Sequence, residues 1–202
     1  MKVQRNDKCP CGSEKKYKKC CYLDPAKNAE ITRAASMSAT WAELVELLSK
    51  PMEVYRVKVI LIRMGLRGMS EEISRTFEIE GNHTLFNLHM DIQYAFDWDN
   101  DHLFSFYFGG KLFDTENEYS CSPVGDHFVS DMGAPSKSAE KTQIRDLGLA
   151  AGSTFLYLFD YGDELVHEVV VEKIRDRDDG DKKLPTVVSE IGTPPPQYGE
   201  IE

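Results

Sequence analysis

The sequence predicts an α+β protein in which a mixed β-sheet carries one main helix and a small cysteine-rich module precedes the sheet. Two observations predict the sheet domain. Residues 54–62 alternate between apolar and polar side chains, and an apolar stripe at helical spacing follows within residues 84–96. A third observation predicts the module, because four of the five cysteines fall within the first 21 residues. We therefore divide the chain into residues 1–22, 23–51, 52–174 and 175–202.

Residues 52–174 contain the elements of the sheet domain. The expected strands are rich in β-branched and aromatic residues and are bounded by glycine, asparagine and aspartate. Thr84 is suited to cap the main helix, which would run to about Phe96. In chain order, the expected elements are strands at 54–62 and 75–80, this helix, a strand at 103–108, a long loop at 115–140, a short turn at 144–149, and a hairpin of strands at 154–159 and 166–174.

The order of these elements resembles the β-grasp (ubiquitin-like) fold. Residues 106–113 are similar to its third strand, and residues 147–149 and 152–154 to its short helix and the start of its last strand. The resemblance implies one helix lying across a mixed sheet. It makes the strand at 166–174 an addition at an edge of that sheet.

Two further segments flank the sheet domain. Residues 23–51 predict a linker helix, since Thr40 and Glu43 form a capping-box pattern before an apolar stripe and Pro51 marks its end. This helix either bridges the module and the main domain or packs on the core. Residues 175–202 combine a run of charged residues with three consecutive prolines, which predicts a mobile acidic and proline-rich tail.

The charge is unevenly distributed between the module and the rest of the chain. The net charge is -10, but residues 1–27 hold eight basic and three acidic side chains, so the remaining 175 residues carry -15. A broad nucleic-acid-binding face on the large part is therefore disfavoured. No stretch approaches the roughly 20 apolar residues of a membrane span, and no apolar run follows the basic N-terminus, so we expect a cytoplasmic protein.

The cysteines are spaced C-x-C-x8-C-C and predict a structural zinc site. Thiols stay reduced in the cytoplasm, where clustered cysteines more often bind metal than form disulfides. Four thiolates close a tetrahedral Zn²⁺ site, and a segment this short needs a metal to fold. A redox pair or unligated thiols are the alternatives. The expected ligands are Cys9, Cys11, Cys20 and Cys21.

Residues 5–13 and 15–21 resemble the SEC-C motif, which is found at the C-terminus of the SecA translocation ATPase and on many other bacterial proteins. One departure is visible, because the family usually has glycine where Glu14 stands. The resemblance implies zinc binding by the four cysteines and contact with other proteins. A closed four-ligand site leaves no position open for catalysis. The residues expected to contact a partner are Lys15, Lys16, Tyr17, Lys18 and Lys19.

From residue 54 to about residue 174 the chain resembles the plasmid pRiA ORF-three-like family of small bacterial and archaeal proteins. The resemblance is carried by two groups of residues, at 88–106 and at 159–168. The chain departs from the family near Leu165, where the family often has tryptophan, and at 193–196, where it usually has a Cys-Pro-Pro segment. The resemblance implies no particular biochemical activity.

Four polar residues within this region suggest a second site. A pair of histidines with carboxylates can hold a metal with open positions, as hydrolytic and oxygen-using enzymes do. In the simpler interpretation, which we favour, residues 160–163 are a hairpin turn whose aspartates bond their own backbone, and the histidines are structural. The residues of this possible second site are His102, Asp160, Asp163 and His167.

The function that we predict is a non-enzymatic zinc-binding adaptor that contacts protein partners. The alternative is a metal-dependent enzyme that uses His102, Asp163 and His167, which requires these side chains to converge. A weaker alternative is nucleic-acid binding by the basic zinc knuckle, which requires a steep dependence on salt.

Overall fold

The computed structural model describes residues 1–121, 137–178, 180–181 and 183–198 of the chain. The chain divides into two compact units, Met1–Pro51 and Met52–Glu202. Each unit has buried hydrophobic clusters of its own, so each is stabilised by packing within itself. Among the helices that the structure describes, none is both long enough and apolar enough to span a membrane.

The first unit contains two helices, α1 (Pro25–Met37) and α2 (Trp41–Ser49). Asp24 caps α1, because its side chain accepts hydrogen bonds from two backbone N–H groups of the first turn. The capping box predicted from Thr40 and Glu43 is present at the start of α2. The helices pack through a small buried cluster whose members are Ala34, Ala35 and Leu44.

The second unit is an α+β domain built on one eight-stranded sheet, which confirms the predicted mixed sheet with one main helix. Its strands are β1 (Glu53–Met64), β2 (Arg67–Glu80), β3 (Phe104–Tyr107), β4 (Glu118–Ser120), β5 (Lys137–Ser138), β6 (Thr154–Phe159), β7 (Leu165–Asp176) and β8 (Thr186–Ile191), and its helix is α3 (Leu85–Phe96). The strand order is β5-β4-β3-β6-β7-β1-β2-β8. Neighbours are antiparallel except β4 and β5, which are parallel.

The core of this unit lies between α3 and one face of the sheet. Thr84 caps α3 as predicted, here paired with Asn87 in a capping box. The apolar stripe of α3 is fully buried against alternate residues of β1, β2, β3, β6 and β7, in one continuous cluster. The buried members from α3 are Leu85, Leu88, Ile92 and Phe96.

The opposite face of β1, β2 and β7 carries paired charges. Glu78 on β2 accepts from Arg56 of β1 at 2.7 Å and from Arg175 of β7 at 3.0 Å, so one carboxylate joins three strands. Arg175 also donates to both oxygens of Asp181, at 2.7 and 2.9 Å. The same alternation of side chains that buries the core therefore places a network of ion pairs on this face.

Strand β7 lies inside the sheet, so its expected position at an edge is wrong. It pairs with β1 on one side and with β6 on the other. Consecutive residues Leu165, Val166 and His167 are all buried, which is typical of a strand covered on both faces. In this sheet β7 separates β1 from β6, and the finer assignment to the β-grasp fold does not follow from the strand order alone.

The expected mobile tail contains a strand and further fixed contacts. Strand β8 pairs with residues 74–78 of β2 at an edge of the sheet. Arg75, whose side chain is buried, donates to the carbonyl oxygens of Ile191 and Gly192 at 3.0 and 3.2 Å. The indole nitrogen of Trp98 donates to the carbonyl of Pro195 at 3.0 Å. Composition predicted mobility here because it does not reveal pairing with a distant strand.

The expected loop at 115–140 lies partly outside the described residues, which exclude 122–136. Its described ends contain a 3-10 turn, Thr115–Asn117, and the short strands β4 and β5. Strands this short leave no periodic pattern in the sequence, and for this reason the analysis of periodicity missed them.

Candidate metal centre

A tight hairpin positions the first two cysteines of the segment at residues 5–23, which we call the cysteine knuckle. The backbone N–H of Cys9 donates to the carbonyl of Lys15 at 2.7 Å, and Lys8 and Lys16 form an antiparallel bridge. Gly12 turns the chain with a φ of 80°, a conformation that glycine adopts without a steric penalty. The turn brings Cys9 and Cys11 to the same end of the hairpin, with their sulfur atoms 3.3 Å apart.

Two 3-10 turns position the other two cysteines. The turn Tyr17–Lys19 precedes Cys20, whose N–H donates to the carbonyl of Tyr17 at 3.0 Å. The turn Cys21–Leu23 follows, and Cys20 between them has a φ of -138° and a ψ of -118°, outside the helical region. This change of direction between the turns lets two adjacent residues contribute to one cluster.

The four sulfur atoms form a compact cluster. All ligand atoms of Cys9, Cys11, Cys20 and Cys21 lie within 4.8 Å of one another. The Sγ atoms of Cys11 and Cys20 are 3.6 Å apart, and those of Cys20 and Cys21 are 3.9 Å apart. A tetrahedral zinc site with Zn–S bonds of about 2.3 Å has sulfur–sulfur edges of about 3.8 Å. The donor set and its spacing therefore fit a metal ion bound by four thiolates.

The environments of the thiols differ. Burial raises the pKa of Cys21 and, to a smaller extent, that of Cys9. The hydrogen bond of Ser13 with the Cys11 thiol lowers the pKa of Cys11 to about 6. Without a dication, the buried pair would stay protonated beside an exposed thiolate. A bound metal ion supplies the positive charge that stabilises all four thiolates together.

Glu14 explains why the SEC-C motif usually has glycine at this position. Its φ is 58°, in the left-handed region that residues with a Cβ seldom adopt. Its carboxylate is 2.7 Å from the ammonium group of Lys8, an ion pair in which both side chains are exposed. An exposed pair of this kind contributes little stability. The departure from the motif therefore places backbone strain in the turn next to the cysteines.

Tyr17 is buried, so it does not belong to the exposed surface of the knuckle on which a partner contact was expected. Only 3% of the residue is exposed, and it packs with Cys9, Cys21 and Ile31. Its hydroxyl donates to the side-chain oxygen of Asn28 on α1 at 2.5 Å. An aromatic ring among charged residues looks exposed in the sequence, but the short knuckle needs a large side chain to fill its interior.

The lysines of the knuckle are more accessible than Tyr17. Lys15, Lys16 and Lys19 are exposed, and Lys18 is half-buried. The exposed aromatic residue of this region is Tyr22, whose ring lies 4.9 Å from the Arg5 guanidinium carbon. Nothing in the local sequence pattern distinguishes Tyr22 from Tyr17, so Tyr22 was not predicted as a contact residue.

The residues of the possible second site do not form one cluster. Among the described residues, the four cysteines make up the one group of three or more histidine, cysteine or acidic side chains arranged to hold a metal ion. His102 is 3.5 Å from a carboxylate oxygen of Asp160. The other oxygen of Asp160 accepts from the backbone of Gly162 and Asp163, at 2.8 and 3.3 Å, as expected of a hairpin turn.

His167 lies in the core, away from the surface of that turn. It is fully buried, and its ring packs 5.1 Å from Phe96 and 5.4 Å from Trp98. Burial lowers its pKa to about 3, so the ring is neutral. Alternation along β7 puts His167 on the core face of the sheet, whereas Asp163 is exposed. Because β7 directs His167 into the core, His167 does not converge with Asp163 at the turn.

A buried polar network around His89 was missed by the sequence analysis. Its Nε2 faces the side-chain oxygen of Asn100 at 2.6 Å, and its Nδ1 is 2.8 Å from the Tyr157 hydroxyl. Gln93 donates to that hydroxyl at 2.8 Å, so Nε2 carries the histidine proton and Nδ1 accepts from Tyr157. Burial lowers the pKa of His89 to about 4. Its helical position next to Leu88 on the apolar stripe was the available signal.

Comparison with known proteins follows the division into knuckle and sheet domain. Residues 5–23 match the SEC-C motif, and residues 58–201 match the family described as plasmid pRiA4b ORF-3-like protein. The chain belongs to the plasmid pRiA4b ORF-3-like protein family. Both resemblances seen in the sequence, and their order, are confirmed. The motif and the cysteine cluster together indicate a metal site in the knuckle.

A solved structure supports the fold of this family member. The crystal structure of MM3350, a protein of unknown function from Methanosarcina mazei Go1, matches with a TM-score of 0.58 and 24% sequence identity. The match covers 73% of this chain and 75% of that chain. At this level of identity, the likeness concerns the fold. No curated protein matches the chain.

Proposed function

We propose that this protein is a zinc-binding adaptor whose cysteine knuckle contacts a protein partner. The observation that carries the proposal is the clustering of four sulfur atoms within 4.8 Å of one another in a segment that matches the SEC-C motif. Four ligands from the protein complete the tetrahedral coordination of the ion, so the metal would act structurally and not as a catalyst.

Zinc is the metal that this donor set favours. Four thiolates in tetrahedral geometry are typical of zinc or iron–sulfur sites, and zinc needs no redox partner to hold one segment folded. A reducing compartment would keep the cysteines available as ligands, which agrees with a cytoplasmic location. Zinc with four thiolates carries a formal charge of about -2, which the neighbouring lysines would offset.

The exposed lysines supply the proposed contact surface. Lys15, Lys16 and Lys19 project from the knuckle, and the exposed Tyr22 and Leu23 add apolar area beside them. A positive patch with an aromatic residue fits an acidic protein surface, where opposite charges speed association and an aromatic side chain anchors the contact.

We also infer a β-grasp-like arrangement of β1, β2, α3, β3 and β6, into which β7 is inserted.

The first experiment measures the metal content of the purified full chain by elemental analysis. We expect one zinc per chain, and loss of that zinc in the Cys9→Ser and Cys21→Ser variants. The Cys121→Ser variant is the matched control, because Cys121 lies outside the cluster. Zinc that persists without Cys9 and Cys21, or a stoichiometry of two, would contradict the proposal.

A second experiment tests the partner. Cross-linking in cells followed by mass spectrometry would compare the natural chain with a Lys15→Glu, Lys16→Glu, Lys19→Glu variant. We expect a specific protein to be lost from the variant and retained when Lys111, exposed on the sheet domain, is reversed instead. Recovery of nucleic acid with a steep salt dependence would favour the nucleic-acid alternative and overturn the protein adaptor.

A further inference from the structure

A carboxylate on the face of the sheet opposite α3 is surrounded by hydroxyl groups. One oxygen of Glu118, on β4, lies 2.7 Å from the Ser105 hydroxyl, 3.1 Å from that of Tyr161 and 3.2 Å from that of Tyr107. The hydroxyls of Ser105 and Tyr161 are themselves 2.6 Å apart. Three hydroxyl protons are available for these contacts, and each tyrosine keeps its proton because burial raises the pKa of both phenols.

The negative charge of Glu118 has no cationic partner among the described residues. The ion pairs of this part of the chain join other carboxylates, such as Glu72 with Lys58 and Glu78 with Arg56. Hydroxyl groups donate hydrogen bonds but carry no net charge. Glu118 is therefore a half-buried carboxylate that accepts hydrogen bonds from hydroxyl groups and forms no ion pair with the described residues.

Tyr161, which donates to this carboxylate, lies near a second exposed aromatic ring, that of Phe113. Tyr161, from the turn between β6 and β7, is 40% exposed, and Phe113, from the loop between β3 and β4, is 54% exposed. Their ring centroids are 6.3 Å apart, and the Phe113 ring is 6.1 Å from the buried Tyr107. Aromatic faces next to a carboxylate form the surroundings in which proteins bind ammonium and guanidinium groups.

The loop holds Phe113 in a strained conformation. Its φ is 62°, in the left-handed region, which is a rare position for a bulky side chain. The loop is fixed by backbone hydrogen bonds from Phe108 to Asn117 at 3.0 Å and from Asn117 to Asp114 at 3.1 Å. The strained backbone therefore holds a large apolar ring at the surface. Such outliers cluster at sites where ligands bind.

We propose that Glu118, Tyr161 and Phe113 form a binding site for an organic cation with an alkylammonium or guanidinium head group. Glu118 supplies the charge, the hydroxyl network fixes its orientation, and the two rings contact the cation and its alkyl stem. The cation is either a free amine or the end of a lysine or arginine side chain of another protein. This site is independent of the metal in the cysteine knuckle, because all of its residues belong to the sheet domain.

The test is a titration of the full zinc-loaded chain with butylammonium and butylguanidinium, followed by NMR of the aromatic side chains. We expect saturable shifts at Phe113 and Tyr161, and none with neutral 1-butanol. The Glu118→Gln variant keeps the size of the side chain and should weaken binding by about tenfold, since it removes the charge. The control is Glu116→Gln, which removes an exposed charge two residues away and should change little.

A second variant keeps the test decisive if Glu118→Gln disturbs the loop. Phe113→Leu retains an apolar side chain. It should lower the affinity for both cations without changing the thermal unfolding of the sheet domain. Equal shifts with 1-butanol, no saturation, or unchanged affinity in Glu118→Gln would overturn the proposal. A peptide that contains an unmodified lysine or arginine and has its N-terminus blocked by an acetyl group is the probe for a protein ligand. If it binds more tightly than the free amines, the ligand is a protein side chain. Equal affinity identifies a free amine.

Discussion

The cysteine knuckle and the sheet domain differ in how many residues they bury. The knuckle buries only Cys9, Pro10, Tyr17 and Cys21 of its own residues, with Ile31 of α1 added to the cluster of the cysteines and the tyrosine. The sheet domain buries one cluster of 23 residues, drawn mostly from its strands and from α3. Hydrophobic burial grows with the size of a domain, so the sheet domain can fold by packing, whereas the proposed zinc ion would supply much of the stability of the short knuckle. Loss of metal should therefore destabilise the knuckle, and loss of core packing should destabilise the sheet domain.

Removal of the metal is the largest expected effect on the knuckle. Structural zinc contributes about 10–16 kcal/mol to the folding of small zinc modules. Treatment with a strong chelator under reducing conditions should therefore unfold residues 5–23 and leave the sheet domain folded. Two-dimensional NMR of the amide groups would show the knuckle signals collapsing while those of β1 and β7 persist. Loss of the sheet signals would mean that the two interiors are not independent.

Truncation of a core side chain is the corresponding change in the sheet domain. Leu88 on α3 is fully buried, and Leu88→Ala should lower the free energy of unfolding by about 2–5 kcal/mol because of lost packing and a residual cavity. Urea unfolding monitored by Trp98 in a Trp41→Phe background would measure the effect in this unit alone. The exposed Leu66→Ala variant is the control. The zinc affinity of Leu88→Ala should stay unchanged. A large drop in zinc affinity would show that the knuckle depends on the core of the sheet domain.

Acid should destabilise the sheet domain through its buried histidines. His89 and His167 have native pKa values of about 4 and about 3, whereas both take up protons near pH 6.5 once unfolded. Asp91 acts in the opposite direction, because burial raises its native pKa to about 7 and the native state binds that proton first. Burial also lowers the pKa of His83, which adds to the histidine effect.

The unfolded state therefore binds about one more proton than the native state between about pH 5.5 and pH 4.5. Stability present above pH 6.5 should decline across this window by about 1.4 kcal/mol per pH unit. Urea unfolding at several pH values measures the slope, which should decrease by about one proton in His167→Leu. A slope that is flat, or one that the substitution leaves unchanged, would show that these histidines do not control the response.

Relief of strain at Glu14 is the smallest expected effect. Glu14→Gly permits the left-handed φ without a steric penalty and should tighten zinc binding a few-fold, although the exposed ion pair with Lys8 is lost. Glu14→Ala is the matched control, because it loses the same ion pair and keeps the strain. Competition with a coloured chelator would compare the affinities. Equal affinities for the two variants would remove strain as the reason.

Local sequence patterns predicted most of the regular elements correctly. Thr40 and Thr84 cap helices as expected, because a capping box depends on residues only three positions apart. The hairpin of β6 and β7 was predicted from two alternating runs around a turn of aspartate and glycine. The strands β4 and β8 were missed, since their pairing partners are distant in the sequence and their own residues are few or half-exposed.

The candidate sites show the same limit. Cysteines spaced for one metal ion are close in the sequence, so the folded chain brings all four together with little dependence on the rest of the molecule. His102 and His167 had to meet across strands, and alternation along β7 directs His167 into the core instead. Tyr17 looked exposed among lysines, yet it fills the interior of the knuckle.

Local sequence was enough to predict the family of the sheet domain, the SEC-C motif with its four cysteines and the helix caps, because each depends on residues that are near neighbours. The folded structure was needed to reveal the central position of β7, the contacts of the C-terminal residues with β2 and Trp98, and the proximity of Glu118, Tyr161 and Phe113. These depend on which strands pair and on which face of the sheet each side chain lies. A shift of one residue in register moves every side chain of a strand to the other face, so these positions follow from the pairing of strands that are distant in the sequence.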